Sequence, residues 1–176
     1  MRRKPTNILL TGVPGVGKTT VIKEVAERLG QNAGGFYTEE KRHGRNRVGF
    51  DIVTLDGRRA ALSHVNIKGR HRVGKYGVDV AAIDSVAVSS IDDAIASGKT
   101  VVVDEIGKME LFSQRFRESV ARALDAPVPT VAVIMLKPNP FADAVKQRTD
   151  VKIIEVTPSN RDALPARIVE ELGRED

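Results

Sequence analysis

The chain has 176 residues, 41% of them hydrophobic and 29% charged, the size and balance of one folded domain rather than a disordered or fibrous chain. Cysteine is absent, which excludes disulfides, a cysteine nucleophile, iron–sulfur clusters and cysteine-ligated zinc. The formal charge of +5 is concentrated: residues 39–79 hold ten Lys or Arg against five Asp or Glu, and the remainder holds eighteen of each.

Met1-Arg2-Arg3-Lys4 is basic and Ile8-Leu9-Leu10 apolar, but the apolar stretch meets Gly12-Val13-Pro14-Gly15 too soon for a signal peptide or a membrane span. A cytoplasmic protein with no membrane partner is expected. Asn7 to Thr11 reads as a short buried strand. Lys18 to Leu29 carries Val21, Ile22, Val25, Ala26 and Leu29 at helical spacing, with Gly30 as the stop. Phe36-Tyr37-Thr38 and Val48 to Leu55 are strand-like around the polar Arg42 to Arg47 turn. Asp56-Gly57 then marks a hairpin into a returning strand, Arg58 to His64. These strands predict an antiparallel insertion over about 34–64. The basic stretch at about 65–79 reads as an ordered loop over the site or a lid.

Ile83 to Ile95 is weakly amphipathic. Val101-Val102-Val103 is a buried parallel strand running into Asp104-Glu105. Leu111 to Leu124 predicts a helix with Phe112, Phe116, Val120 and Leu124 on one face. Thr130 to Leu136 and Lys152 to Val156 predict strands; Phe141 to Arg148 and Asp162 to Leu172 predict helices. The alternation predicts an α/β domain over residues 1–176, its mostly parallel central sheet covered by helices on both faces in three layers.

Two motifs carry chemistry. Gly12-Val13-Pro14-Gly15-Val16-Gly17-Lys18-Thr19 fills G-x-x-x-x-G-K-[ST] between a predicted strand and a predicted helix. Its glycines let the backbone turn its N–H groups toward a β-phosphate and continue into a helix N-terminus that favours anions. Lys18 is expected to reach the β- and γ-phosphates, Thr19 to ligate Mg2+, and Thr20 to help with the α-phosphate. The second motif is the strand end. Asp104 is expected to hold the magnesium hydration shell and Glu105 to polarise the attacking water; the bland alternative for Asp104 is a helix cap. The adjacent Asp-Glu looks like the P-loop NTPases with an extra strand between the phosphate-loop strand and the acidic one. Asp104-Glu105-Ile106-Gly107 superficially fits the D-x-x-G of small signalling GTPases, but no N-K-x-D follows, which argues against a guanine-specific switch.

With these pieces in place the chain resembles the small stand-alone P-loop nucleoside-triphosphatase family, the cancer-related nucleoside-triphosphatase family. The matching segments are Gly12 to Thr20, Gly35-Phe36-Tyr37-Thr38-Glu39-Glu40, Arg47-Val48-Gly49-Phe50, Gly74-Lys75-Tyr76-Gly77-Val78 and Val103 to Glu110. The resemblance implies magnesium-dependent hydrolysis of several nucleoside triphosphates to diphosphates, with loose base preference and slow turnover. It carries the phosphate-loop and acidic-strand roles over to Gly12, Gly15, Gly17, Lys18, Thr19, Asp104 and Glu105.

Beyond the motifs, Lys108 is a candidate for neutralising the leaving diphosphate, with Glu110 holding Lys108 or Arg115. Arg72, in the densest basic cluster, is the first choice for an internal finger over the γ-phosphate. Phe36, Tyr37 and Tyr76 are candidates for base stacking or for packing, and Asn139 for γ-phosphate sensing, base contact or helix capping. His43, His64 and His71 do not sit at metal spacing. A monomer is expected. Two alternatives stay open: a nucleotide or small-molecule kinase, and a nucleic-acid-responsive ATPase or nucleotide-gated module using the basic patch.

Overall fold

In the computed structural model the described residues, 7–173, form one nine-stranded sheet in the order β5-β6-β4-β3-β2-β7-β8-β1-β9. The basic start at Met1 to Lys4 lies outside the described residues. The strands are β1 (Asn7–Thr11), β2 (Ala33–His43), β3 (Asn46–Thr54), β4 (Arg59–His64), β5 (Arg72–Val73), β6 (Tyr76–Val78), β7 (Thr100–Ile106), β8 (Thr130–Ile134) and β9 (Val151–Glu155). The pairs β2–β7, β7–β8, β8–β1 and β1–β9 are parallel. On the other side of β2, the pairs β2–β3, β3–β4, β4–β6 and β5–β6 are antiparallel. The insertion therefore extends the sheet edge as a wing, and β2 belongs to both halves.

The helices are α1 (Lys18–Leu29), α2 (Val80–Ala82), α3 (Val88–Ala96), α4 (Gln114–Asp125), α5 (Pro140–Lys146) and α6 (Leu164–Leu172). Alternation along the strands sends neighbouring side chains to opposite faces. Ile8 and Leu10 pack with Val21, Ile22, Val25 and Ile168 under α1 and α6. Leu9, Val101 and Val103 pack with Ile91, Phe116, Val120 and Leu124 under α3 and α4. Phe36 and Phe116 meet edge-on at 6.2 Å on that second face, a geometry favoured by the ring quadrupoles. Asn7 is buried and useful: its amide donates to the Leu124 carbonyl and its oxygen accepts from the Thr130 N–H, tying β1 to the start of β8. No helix among the described residues is long and apolar enough to cross a membrane.

Three expectations change. The predicted 83–95 helix begins earlier, because Asp79 caps α2 through the Ala82 N–H, and one π-helical turn over Ile83–Ala87 joins α2 to α3. The predicted 111–124 helix starts later, because Ser113 accepts from the Phe116 N–H and caps α4; Phe112 belongs to a preceding 3-10 turn. The basic 65–79 stretch is neither a loop over the site nor a lid. Within it β5 and β6 form a short hairpin, and β6 pairs with β4. Burial of Tyr76 against Phe50, with rings at 5.6 Å, holds this hairpin to the wing.

Gly35 sits where β2 crosses into its pairing with β7, at φ +114°, and an added Cβ would fall 2.0 Å from the Val102 carbonyl oxygen. Both strain and clash lie in backbone, which has nowhere to move. Gly35→Ala is expected to cost on the order of 3 kcal/mol or more, read as a lowered urea midpoint with unchanged slope.

Candidate active site

The carboxyl ends of β1 and β7 lie on one edge of the sheet, two strand steps or about 10 Å apart, because β1, β8 and β7 run parallel. The loop 12–17 leaves β1 and turns into α1. Val16 is buried and anchors the loop to the core, whereas Val13, Pro14, Gly15 and Thr20 are exposed. An added Cβ at Gly12 would meet the Val156 carbonyl at 2.9 Å, so the loop lies tight against the chain leaving β9. Helix α1 begins at Gly17 with no side-chain cap and no acid in its first turn, which suits its first N–H groups to an external anion. Lys18 Nζ donates to the carbonyls of Gly12 and Val13 at 2.5 and 3.2 Å. That holds the ammonium across the loop.

Asp104 is 1% exposed. Its Oδ1 accepts from Thr19 Oγ at 3.4 Å, and its Oδ2 from the Thr38 N–H at 3.4 Å and Thr38 Oγ at 3.5 Å. These separations exceed a good O–H···O bond. Burial, and then the charge of Glu105, push Asp104 up to about 6 from an ordinary 3.8. Burial also raises Glu105, opposed by the Lys18 ammonium. The Glu105 carboxylate rests over Gly107, where an added Cβ would lie 2.2 Å from its Oε1. Glu110 is buried too, and is raised well above the ordinary range by burial and by the charge of Glu105. The expectation that Glu110 holds Lys108 or Arg115 gives way: it turns inward beside the acid pair. A hollow of about 440 Å³ adjoins the site, lined by Thr19, Lys23, Thr38, Glu39, Glu40 and Phe50.

The structure thus brings together Lys18, Thr19, Asp104 and Glu105. Lys108 stands exposed in the turn after β7, without a hydrogen bond or ion pair among the described residues. Arg72 does not join the group. It lies on edge strand β5, seven strand steps from β1, about 30 Å measured along the sheet. Its guanidinium donates to the carbonyls of Ile67 and Lys75 in its own hairpin. Much of the basic wing is neutralised internally: Arg42 and Arg47 pair with Glu40, Arg59 with Glu39 and Asp51, and Arg58 with Asp56 and Asp93. The aromatic candidates are packing residues: Phe36 and Tyr76 are buried, and the Tyr37 ring lies under Lys23 Nζ at 4.6 Å. Asn139 caps α5 through the N–H groups of Phe141 and Ala142.

One residue of the site escaped the sequence reading. Arg161 follows β9 and donates to the Val16 carbonyl at 3.2 Å. Its loop is braced by Asn160, which accepts from the Thr157 N–H and donates to the Glu155 carbonyl, both at 2.8 Å. The Val156 N–H reaches the Thr11 carbonyl at 2.8 Å. The pattern Thr157-Pro158-Ser159-Asn160 signals a turn, but only the β1–β9 pairing brings that turn to the phosphate loop.

A family model described as NTPase matches residues 7–169. The chain belongs to the NTPase family. With it the chain falls among the hydrolases. It is 46% identical over 157 residues to the nucleoside-triphosphatase THEP1 of Thermotoga maritima, covering 89% of this chain and 90% of that one. It is 42% identical over 179 residues to the cancer-related nucleoside-triphosphatase of Homo sapiens, covering 93% and 94%. The crystal structure of THEP1 from Aquifex aeolicus superposes with a TM-score of 0.89 at 38% identity, covering 96% of this chain and 99% of that chain. The solution structure of the human protein gives 0.81 at 40% identity, covering 94% and 96%.

Two outcomes are expected of this geometry. Because the folded state raises the Asp104 pKa, it favours the protonated carboxyl. The stabilisation from this group is full below about pH 4 and lost as pH rises through about 6. Asp104→Asn removes the buried charge, so the ligand-free variant is expected to melt several degrees above the parent at neutral pH, with a flatter pH slope between those limits. Arg72→Ala is expected to leave phosphate release within about twofold of the parent, since the side chain braces only its own hairpin; a kinetic assay at saturating nucleotide checks it.

Proposed function

We propose that the chain hydrolyses nucleoside triphosphates to the diphosphate and inorganic phosphate, with magnesium, and accepts ATP, GTP, CTP and UTP or TTP alike. The observation that carries this reading is the convergence of Lys18, Thr19, Asp104 and Glu105 at one end of the sheet. The relatives named as nucleoside-triphosphatases support it. All four side chains come from one chain, so a monomer suffices.

The donor chemistry fits magnesium. Thr19 Oγ and the Asp104 carboxylate are hard oxygens 3.4 Å apart, the kind of partial set that Mg2+ takes when phosphate and water fill its remaining positions. Among the described residues no group of three or more His, Cys, Asp or Glu is arranged to hold a metal ion; the candidate ligands are Thr19 and Asp104. Held by Thr19 and Asp104, magnesium would supply charge neutralisation to the triphosphate.

The chain's own part is positioning and proton handling. The loop N–H groups and the start of α1 seat the triphosphate. Lys18 exchanges its carbonyl partners for phosphate oxygens and balances the charge that grows on the bridging oxygen. Glu105 accepts a proton from water as the water oxygen bonds to the γ-phosphorus. The bond from that phosphorus to the bridging oxygen breaks, and the diphosphate leaves with the electron pair. Burial makes Glu105 a stronger base than a free carboxylate.

A transferase reading retains one favouring observation, the hollow beside Thr19 that has room for an acceptor. Phosphate release from the four triphosphates with magnesium separates the two. Glu105→Gln is expected to lower release roughly a hundredfold or more for all four while nucleotide binding persists. Negligible release by the parent, restored only by an acceptor that itself gains phosphate, overturns hydrolysis.

A further inference from the structure

The motifs leave the nucleoside half of the substrate without a seat. Of the three aromatic side chains that suggest themselves for a base, Phe36 is committed to the core and Tyr76 to the wing, while half-buried Tyr37 lies under Lys23 on β2, on the far side of β1 from β9. The strand order supplies another candidate. The phosphate loop rises between two flanks: β8 and β7 with the acid pair on one side, β9 on the other. A triphosphate whose γ end meets Thr19, Asp104 and Glu105 points its nucleoside away from β7, across the flank where β9 ends.

Arg161 stands on that flank. Its Cδ lies 3.5 Å from where a Cβ on Gly17 would be, so its aliphatic stem runs beside the start of α1. One guanidinium N–H holds the Val16 carbonyl, and the side chain is still 46% exposed. Its acidic neighbour Asp162 is 3.9 Å away and 98% exposed, a solvent-screened contact. The loop beneath it is fixed by the Asn160 side chain and by the Val156–Thr11 backbone bond. The result is a planar cation on a rigid mount at the rim of the phosphate loop, open to solvent.

We propose that Arg161 is the nucleoside-binding residue of this site, carrying the base against its guanidinium plane. A guanidinium stacks on any aromatic ring through charge and dispersion, and every base offers a π-face. Such a contact adds affinity without reading base edges. It rests on the proposed triphosphatase reading and accounts for the breadth of substrate within it.

The test is equilibrium binding of ADP, GDP, CDP and UDP, and of inorganic pyrophosphate, each with magnesium, to the parent and to Arg161→Ala. The expected result is a roughly tenfold loss of affinity for all four diphosphates, with pyrophosphate within about twofold. Unchanged diphosphate binding overturns the proposal. So does pyrophosphate binding that falls in step with the nucleotides, because Arg161 then serves the phosphates or the shape of the loop. Arg161→Lys keeps the stem beside Gly17 and the charge but loses the plane; it is expected to follow the alanine variant for the bases and the parent for pyrophosphate, and it carries the test if the alanine variant fails to fold. None of these readouts needs turnover, so absence of hydrolysis by the parent would count against the enzyme reading alone.

Discussion

Parallel pairing of β1 with β8 and of β8 with β7 is the constraint on which the site depends. It is written in short apolar strands, Ile8-Leu9-Leu10, Val101-Val102-Val103 and Val131-Ala132-Val133, all buried on both faces. A strand with helices on both sides has no polar face to spare. Once the three run the same way, the residues after each apolar run emerge at the same edge: the glycine-rich loop after β1, and Asp104 with Glu105 at the end of β7. The chemistry is thus a consequence of strand direction before it is a consequence of any single contact. Asn7, bridging Leu124 and Thr130 from inside the sheet, helps to fix that register.

Electrostatics at that edge work against the fold. Three carboxyl groups, on Asp104, Glu105 and Glu110, are drawn into low-dielectric surroundings, and each is raised by burial. Lys18 is the cation that opposes this at Glu105, and its ammonium rests on two loop carbonyls. Three desolvated carboxyl groups gathered at one end of the sheet therefore carry an electrostatic cost. Stability given up there is a common feature of functional sites, and here it has a defined origin in desolvated carboxylates.

The local signals were legible and the long-range ones were not. β1 and α1 appear with the boundaries their sequence suggests, because an apolar run, a glycine turn and a 3.6-residue repeat are all local. The acidic strand end is legible for the same reason. Arg161 was hidden, since its importance comes from β9 pairing with β1, and nothing within residues 151–161 encodes which strand is the neighbour. Arg72 misled in the opposite way: a dense cluster of cations suggests anions, but the hairpin carrying it docks on the far edge through Tyr76 and β4. The short helical start before Ile83 depends on one cap from Asp79, a signal easily lost in a weak periodicity.

Gly107 shows how finely the acid pair is seated. Unlike the loop glycines, it does not have a left-handed backbone, so any residue could adopt its φ. What it provides is vacant volume, the space of one methyl group, into which the Glu105 carboxylate folds. That volume lets the carboxylate fold back over the turn, a position that a side chain at 107 would close to it. The order of the Asp-Glu-Ile-Gly segment is then a packing statement: the glycine two residues on leaves the room that the acid occupies, and any larger residue there would send the carboxylate elsewhere.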